Sequence, residues 1–308
     1  MVTICCPPSD SGTSSPQYTQ YKLLDSLADQ KGKIICLKEL MNHNIIITGD
    51  SEGEIKIWNL ENKSCIKTIE LSGKIFCILE FEQDKLLIGG TTNNIDLYDI
   101  NESPEKLIHK FEGHKYWVND LVKCDENYFA SSSNDGSIRM WDYKNKSFVH
   151  ALNVDNRTQI LCLIKLNDGR LCTGNLDSTI KIWDWKNNKC DKTFGNNNGV
   201  PKCLCQLKNG DILSGCDNII IAWNREVVHY KLEGHSKAVR YICKINDNYI
   251  ASASFDKTIK IWNLKNIKKQ ACEQTLFGHN DFVTGIILHS SGKLISCSND
   301  KTIKIWGK

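Results

Sequence analysis

The 308 residues carry 39 basic and 36 acidic side chains, a formal net charge of +3, with 41% hydrophobic and 24% charged residues. That near balance leaves no electrostatic footprint of a nucleic-acid or membrane-surface protein, while the apolar fraction suffices for a full core. No apolar run reaches the 18 residues of a spanning helix, and the N-terminus lacks the apolar core of a signal peptide.

In chain order, residues 1–17 are polar and Ser/Pro-rich, and a disordered tail is expected there. Adjacent Cys5 and Cys6 are candidate lipid acceptors, but a plain tail is the simpler reading. Residues 18–308 read as one folded domain. Its first element is a short strand at Tyr21-Lys22-Leu23-Leu24.

A repeat then begins. The string Ile-Lys-Ile-Trp-Asn ends at Asn59, and related strings end at Asp99, Asp142, Asp184, Asn224, Asn263 and, at the end of the chain, Trp306. Their aromatic residues are Trp58, Tyr98, Trp141, Trp183, Trp223, Trp262 and Trp306, separated by 39 to 44 residues. Such a period marks a repeat architecture. Within each unit, short Ile/Val/Leu runs keep an eleven-residue offset, as in Val118 to Phe129, Val239 to Ile250 and Val283 to Leu294. Gly, Asn and Asp punctuate them, and no long helical periodicity appears. The pattern predicts an all-β fold with about four antiparallel strands per unit, hence a seven-bladed β-propeller. The lysines of the Ile-Lys-Ile-Trp strings are expected on a solvated outer face.

The fifteen cysteines are odd in number and form neither paired CxxC motifs nor a Cys/His zinc pattern. Most sit in apolar runs, including Cys36, Cys77, Cys162, Cys243 and Cys297, where a thiol acts as a small hydrophobe. We expect reduced thiols, no metal and no cofactor, and a cytoplasmic or nuclear location.

Three units carry a second signature. Gly-His occurs at 113–114, 234–235 and 278–279, followed at fixed spacing by Ser, Asp and Trp. The sets are His114, Ser131, Asp135 and Trp141; His235, Ser252, Asp256 and Trp262; and His279, Ser296, Asp300 and Trp306. With the period, these sets make residues 18–308 similar to the WD40-repeat family. The resemblance implies that each set forms a structural hydrogen-bonded chain. A Ser-His-Asp hydrolase triad is the competing reading, but a triad occurs once per active site and this set occurs three times. There is also no G-x-S-x-G elbow. The other units depart from the pattern. Gln30, Leu71, Asn156 and Asn197 stand at the His position. Glu52 and Thr92 stand at the Asp position in the first two units. The fourth keeps Thr173, Asp177 and Trp183; in the fifth, Asp217 follows a Ser214 read as displaced.

The last unit lacks an outer strand, and residues 18 to about 25 are expected to supply it and close the ring. The resemblance also implies that partners bind at the face bearing the Gly-His loops and at the channel mouth. Alternation around the first apolar residue of each inner strand puts Lys33/Ile35, Lys74/Phe76, Trp117/Asn119, Gln159/Leu161, Val200/Lys202, Ala238/Arg240 and Phe282/Thr284 there. That set holds no acidic residue and no His. The position before each turn Asp, or its equivalent, adds Ser51, Thr91, Asn134, Leu176, Cys216, Phe255 and Asn299. The candidate partner-binding residues are Phe76, Tyr116, Trp117, Asn134, Arg157, Leu176, Arg240, Phe255, Phe282 and Asn299, rich in the aromatics and Arg of interface hot spots.

The function expected is a non-catalytic scaffold or adaptor binding other proteins or peptides, monomeric in itself and acting within a complex. One alternative is a structural subunit of a large assembly. Another is a phosphopeptide-reading substrate receptor of a ubiquitin ligase, with Arg157 and Arg240 pairing the phosphate. An enzyme using the channel is the least supported reading, because no P-loop, dinucleotide motif, metal cluster or carboxylate pair is visible.

Overall fold

Seven four-stranded antiparallel sheets make up the protein, which we describe from a computed structural model covering residues 20–42, 44–102, 104–153, 158–195, 199–265 and 272–308. The tail 1–17, Cys5, Cys6, Asn156, Arg157 and Asn197 lie outside these residues. The described residues contain no helix. Six blades are consecutive stretches, at 34–70, 75–111, 118–153, 160–195, 203–233 and 239–276. The seventh joins Val283–Leu288, Leu294–Ser298 and Thr302–Gly307 to Lys22–Ala28. This is a β-propeller whose ring closes through its N-terminal strand. That strand sits slightly later than expected and is ordered by pairs from Lys22↔Gly307 to Ala28↔Thr302.

Burial follows position in the blade. Second strands are buried on both faces, as in Leu171–Asn175, because neighbouring blades sandwich them. They therefore read as unbroken apolar or small residues. Outer strands such as Ser64–Glu70 alternate, with one face in water. The repeat Trp residues are at most 4% exposed.

The lysines before those Trp residues are not on a solvated outer face. Lys56, Lys181 and Lys304 are under 10% exposed. Their stems lie between the third and fourth strands, and their ammonium groups reach polar partners: Lys56 pairs with Asp29 at 2.7 Å, and Lys181 donates to Thr193 Oγ1. A long aliphatic stem buries as an apolar group while its tip finds oxygen.

A bulge recurs near the start of six of the inner strands, between Ile34/Cys36, Ile75/Cys77, Val118/Asp120, Ile160/Cys162, Val239/Tyr241 and Val283/Gly285. It shifts the alternation by one. Two successive residues then face the channel, and the next core residue falls three positions on, as in Val118 and Leu121.

The second of those residues is Cys in three blades, and Cys203 holds the matching place in the unbulged strand of blade 5. Each of these cysteines faces a Gly on the neighbouring strand: Cys36 with Gly49, Cys77 with Gly89, Cys162 with Gly174 and Cys203 with Gly215. Each thiol reaches a carbonyl of the next blade, at 3.9 Å for Cys36 to Ile75, 3.8 Å for Cys77 to Val118, 3.7 Å for Cys162 to Pro201 and 3.8 Å for Cys203 to Val239. Asn119 and Thr284 do the same with stronger donors, to the carbonyls of Ile160 at 2.6 Å and Ile34 at 2.7 Å. Burial pushes the Cys36 and Cys203 thiols up to about 12, so they stay protonated donors at neutral pH. In blade 7 the pair is reversed, as Gly285 facing Cys297.

A Cβ on Gly215 would lie 2.4 Å from the Cys203 sulfur and 2.9 Å from Val239 Cγ1 of the next blade. On Gly285 it would meet only the Cys297 sulfur, at 3.0 Å, with Leu37 next at 3.8 Å. Gly215→Ala should therefore lower stability by about 1–3 kcal/mol through overpacking, and Gly285→Ala by clearly less. Urea midpoints of the two variants measure the order, and equal midpoints would refute this account.

Candidate functional site

The face bearing the Gly-His turns is shaped by the three complete networks. In blade 3 the Trp141 indole donates to Ser131 Oγ at 2.8 Å, Ser131 lies 2.7 Å from His114 Nε2, and His114 Nδ1 lies 2.9 Å from Asp135 Oδ2. Asp135 also accepts from the Lys115 and Ser137 amides and the Ser137 hydroxyl. One neutral tautomer satisfies the whole chain: Trp N–H to Ser, Ser O–H to His Nε2, His Nδ1–H to Asp. Blades 6 and 7 repeat it through His235 and His279. These links pin the Gly-His turn to the next turn and so hold both loops of each blade at the surface.

The departures are repaired locally. In blade 1, Gln30 accepts from Thr48, which accepts from Trp58. Glu52 is not the carboxylate that organises this turn. Asp50 binds the Gly32, Glu52 and Glu54 amides, and Glu54 takes the Lys31 amide. In blade 5 Ser214 is in register, bonded to Trp223 at 2.8 Å, and the missing residue falls in the following turn. In blade 4 Thr173 keeps the link to Trp183, while Asp177 bonds only its own turn, at Thr179.

Burial pushes the Asp135, Asp256 and Asp300 carboxyls up, but bonds from the His, the hydroxyl and the amide outweigh it and hold all three well below the carboxylate range. Burial holds the His114 and His279 imidazoles low. Both shifts contribute stability at neutral pH that is lost on acidification. The unfolded chain takes up protons first, through about 6.5 for His and about 4 for Asp. Asp120 and Asp96, raised by burial, oppose this below about pH 5 but are fewer. Urea midpoints should therefore hold between pH 7 and about pH 8, below the range in which unfolded thiols ionise, start to fall near pH 6.5 and fall steeply below pH 4. A midpoint that rises from pH 7 to pH 4 would contradict the assignment.

The channel holds a central cavity of about 260 Å³. Its walls include Ile35, Phe76, Asn119, Leu161, Arg240 and Thr284, with the residue after each. The other member of each expected pair, including Trp117 and Phe282, does not line it. The bulge is the reason. It also brings in Asp120 and Tyr241, with Lys38 from a deeper position, so the channel does contain a carboxylate. Asp120 accepts from the Leu121 amide and from the Leu163 amide of the next blade. Tyr241 and Asp120 hold the Lys38 ammonium above its usual range against burial.

Around the mouth, Tyr116 is 61% and Trp117 47% exposed, and Leu176 is exposed as well. The Phe76 and Trp117 rings meet edge to face at 5.7 Å. Phe255 and Phe282 stack at 4.6 Å, with the Lys237 ammonium 5.4 Å from the Phe282 ring centre. Arg240 donates to the Lys202 carbonyl at 3.3 Å, and Asn119 to Asn134 Oδ1 at 2.7 Å. Asn299 is half-buried at the turn of blade 7. Lys38, Asp120, Tyr241 and Lys237 escaped the sequence reading. The i, i+3 spacing of core residues in each inner strand was the available signal for the first three, since a regular strand repeats at i+2.

The fold and its three networks define a seven-bladed propeller of repeated His-Ser-Asp-Trp units. Residues 105–142, 147–184, 226–263 and 270–307 match the family described as WD domain, G-beta repeat. The protein belongs to the WD-repeat family. The matched segments end in blades 3, 4, 6 and 7; the networks of blades 1, 2 and 5 are substituted, as is that of blade 4. An uncharacterized WD repeat-containing protein of Schizosaccharomyces pombe is 25% identical over 71% of this chain and 62% of its own length. The target of rapamycin complex subunit LST8-1 of Arabidopsis thaliana is 26% identical over 73% of this chain and 78% of its own. The ribosome biogenesis protein YTM1 of Meyerozyma guilliermondii is 25% identical over 37% of this chain and 26% of its own. The match thus spans less than two thirds of the first and third relatives.

Proposed function

We propose that the protein is a non-catalytic interaction scaffold that binds a partner protein or peptide on the face bearing the Gly-His turns, as a subunit of a larger complex. The observation that carries this reading is the aromatic surface there, exposed Tyr116 and Trp117 with half-buried Phe76, and the half-buried Phe255–Phe282 stack, held on loops fixed by the networks. Asn134, Leu176, Arg240 and Asn299 complete the candidate surface, with Arg157 outside the described residues. The name of one relative, a target of rapamycin complex subunit, describes a member of an assembly and favours a complex subunit here. A cytoplasmic or nuclear site of action fits the thirteen free thiols among the described residues.

A hydrolase role is disfavoured by the networks themselves. Ser131, Ser252 and Ser296 are fully buried, and each hydroxyl receives an indole N–H. None can reach a substrate. The reading is tested by affinity purification of the native chain and a Trp117→Ala/Phe255→Ala variant of equal thermal stability. Loss of specific partners from the variant is expected, and identical partner sets would refute the binding face.

A further inference from the structure

We infer that the partner segment seated on this face is acidic, with apolar residues on either side of its carboxylates; this rests on the binding face proposed above and names the chemistry of its occupant. Around the mouth, outside the cavity lining, stand Lys33, Lys74 and Lys202, and Arg240 lines the cavity itself. Lys33 and Lys74 are exposed and make no ion pair among the described residues. Lys202 lies 3.8 Å from Asp217 but keeps its place beside the Arg240 guanidinium, which donates to its carbonyl. Lys115 and Lys237 add two exposed cations next to the aromatic pairs. The nearby acids Glu52, Asp177, Asp217 and Asp281 lie on the turns, Asp217 within ion-pair reach of Lys202. Asp281 is occupied in capping the Phe282 amide, and Asp177 in bonding Thr179. Deeper in the channel, Asp120 is bonded to two amides and offset by Lys38. The mouth is therefore a cationic rim around a narrow cavity, and low-dielectric walls strengthen such a field.

The aromatic pairs supply the second half of the argument. Phe76–Trp117 spans the junction of blades 2 and 3, and Phe255–Phe282 the junction of blades 6 and 7. Going round the ring these junctions are four blades apart one way and three the other, so they face each other across the mouth. A segment laid across the channel meets an apolar platform, then Lys33, Lys74, Lys202 and Arg240, then a second apolar platform. A sequence with Asp or Glu at its centre and Leu, Ile, Phe or similar residues toward each end complements that order.

The test is selection of a phage-displayed random peptide library on the immobilised full chain, followed by calorimetry of the selected peptides at two salt concentrations. Enriched peptides should carry central Asp or Glu with apolar flanks and weaken as salt rises. Lys33→Glu/Lys74→Glu, two exposed changes that should leave the melting temperature unchanged, should weaken them by about tenfold or more, while Lys→Ala at both positions weakens them less. Enriched peptides that are neutral or basic, yet lose binding to Trp117→Ala/Phe255→Ala, would overturn the acidic occupant and leave the face intact. Acidic peptides indifferent to both aromatic substitutions would overturn the face itself. A selection that enriches no peptide counts against the inference as well.

Discussion

A chain beginning at Asp29 should fail to form the native ring. The strand Lys22–Ala28 supplies the outer edge of blade 7, and Tyr21 ahead of it is only 2% exposed, packed with Trp306, Leu294 and Ile261. The Gln274 side chain grips the Tyr21 backbone twice, accepting from its amide at 2.9 Å and donating to its carbonyl at 2.7 Å. Leu27 is 6% exposed within the cluster that joins blade 7 to blade 1. Burying Tyr21 and Leu27 alone contributes about 2–3 kcal/mol each, which already approaches half the stability of an ordinary domain. Removal would also leave Thr302–Gly307 as an open apolar edge, a template for association. The expected result is a melting temperature lowered by well over ten degrees, with aggregates on size-exclusion chromatography. A monomer melting like the full chain would overturn the closure.

The second large effect is expected at the turn carboxylates of the complete networks. Asp300→Ala strips the partner from His279 Nδ1, the Asn280 and Thr302 amides and the Thr302 hydroxyl at once. His279 is buried and Thr302 half-buried, and leaving such donors unmet costs about 1–3 kcal/mol each, so a loss of about 3 kcal/mol is expected. Asp177→Ala in blade 4, where the carboxylate is exposed and bonds only Thr179, should cost under about 1 kcal/mol. Chemical denaturation of the two variants distinguishes a network from a set of independent turns. Equal losses would show that the His–Ser–Trp chain adds nothing.

Much of this architecture was legible from one chain because the propeller is quasi-one-dimensional. The period of the Trp residues placed every blade, since each unit buries its faces only on its neighbours. The strand Tyr21-Lys22-Leu23-Leu24 was recognisable because the last unit, alone, had no outer strand after it. The His, Ser, Asp and Trp of blades 3, 6 and 7 could be grouped because their spacing was identical in three places.

The departures of the structure from the sequence pattern share a cause. The Lys56, Lys181 and Lys304 side chains were placed by charge, whereas burial of a lysine is decided by which strand covers its stem and which oxygen waits at the end. Glu52 was placed by alignment, but Asp50 and Glu54 sit on the turn where the amides converge. Strict alternation misplaces the channel lining, because the bulge near the start of their strands moves Asp120 and Tyr241 into it.

The sequence by itself therefore determined the number of blades, the antiparallel strands within them, the strand that closes the ring and the residues of the repeating networks. Those features are periodic, and a period survives without coordinates. Only the tertiary structure decided what converges at the centre: the thiol–carbonyl contacts between blades, the Lys38, Asp120 and Tyr241 lining, and the two aromatic pairs facing each other across a cationic mouth. These contacts join residues from different blades, and their geometry depends on a one-residue bulge that no composition records and that only the packing of seven sheets around one axis fixes.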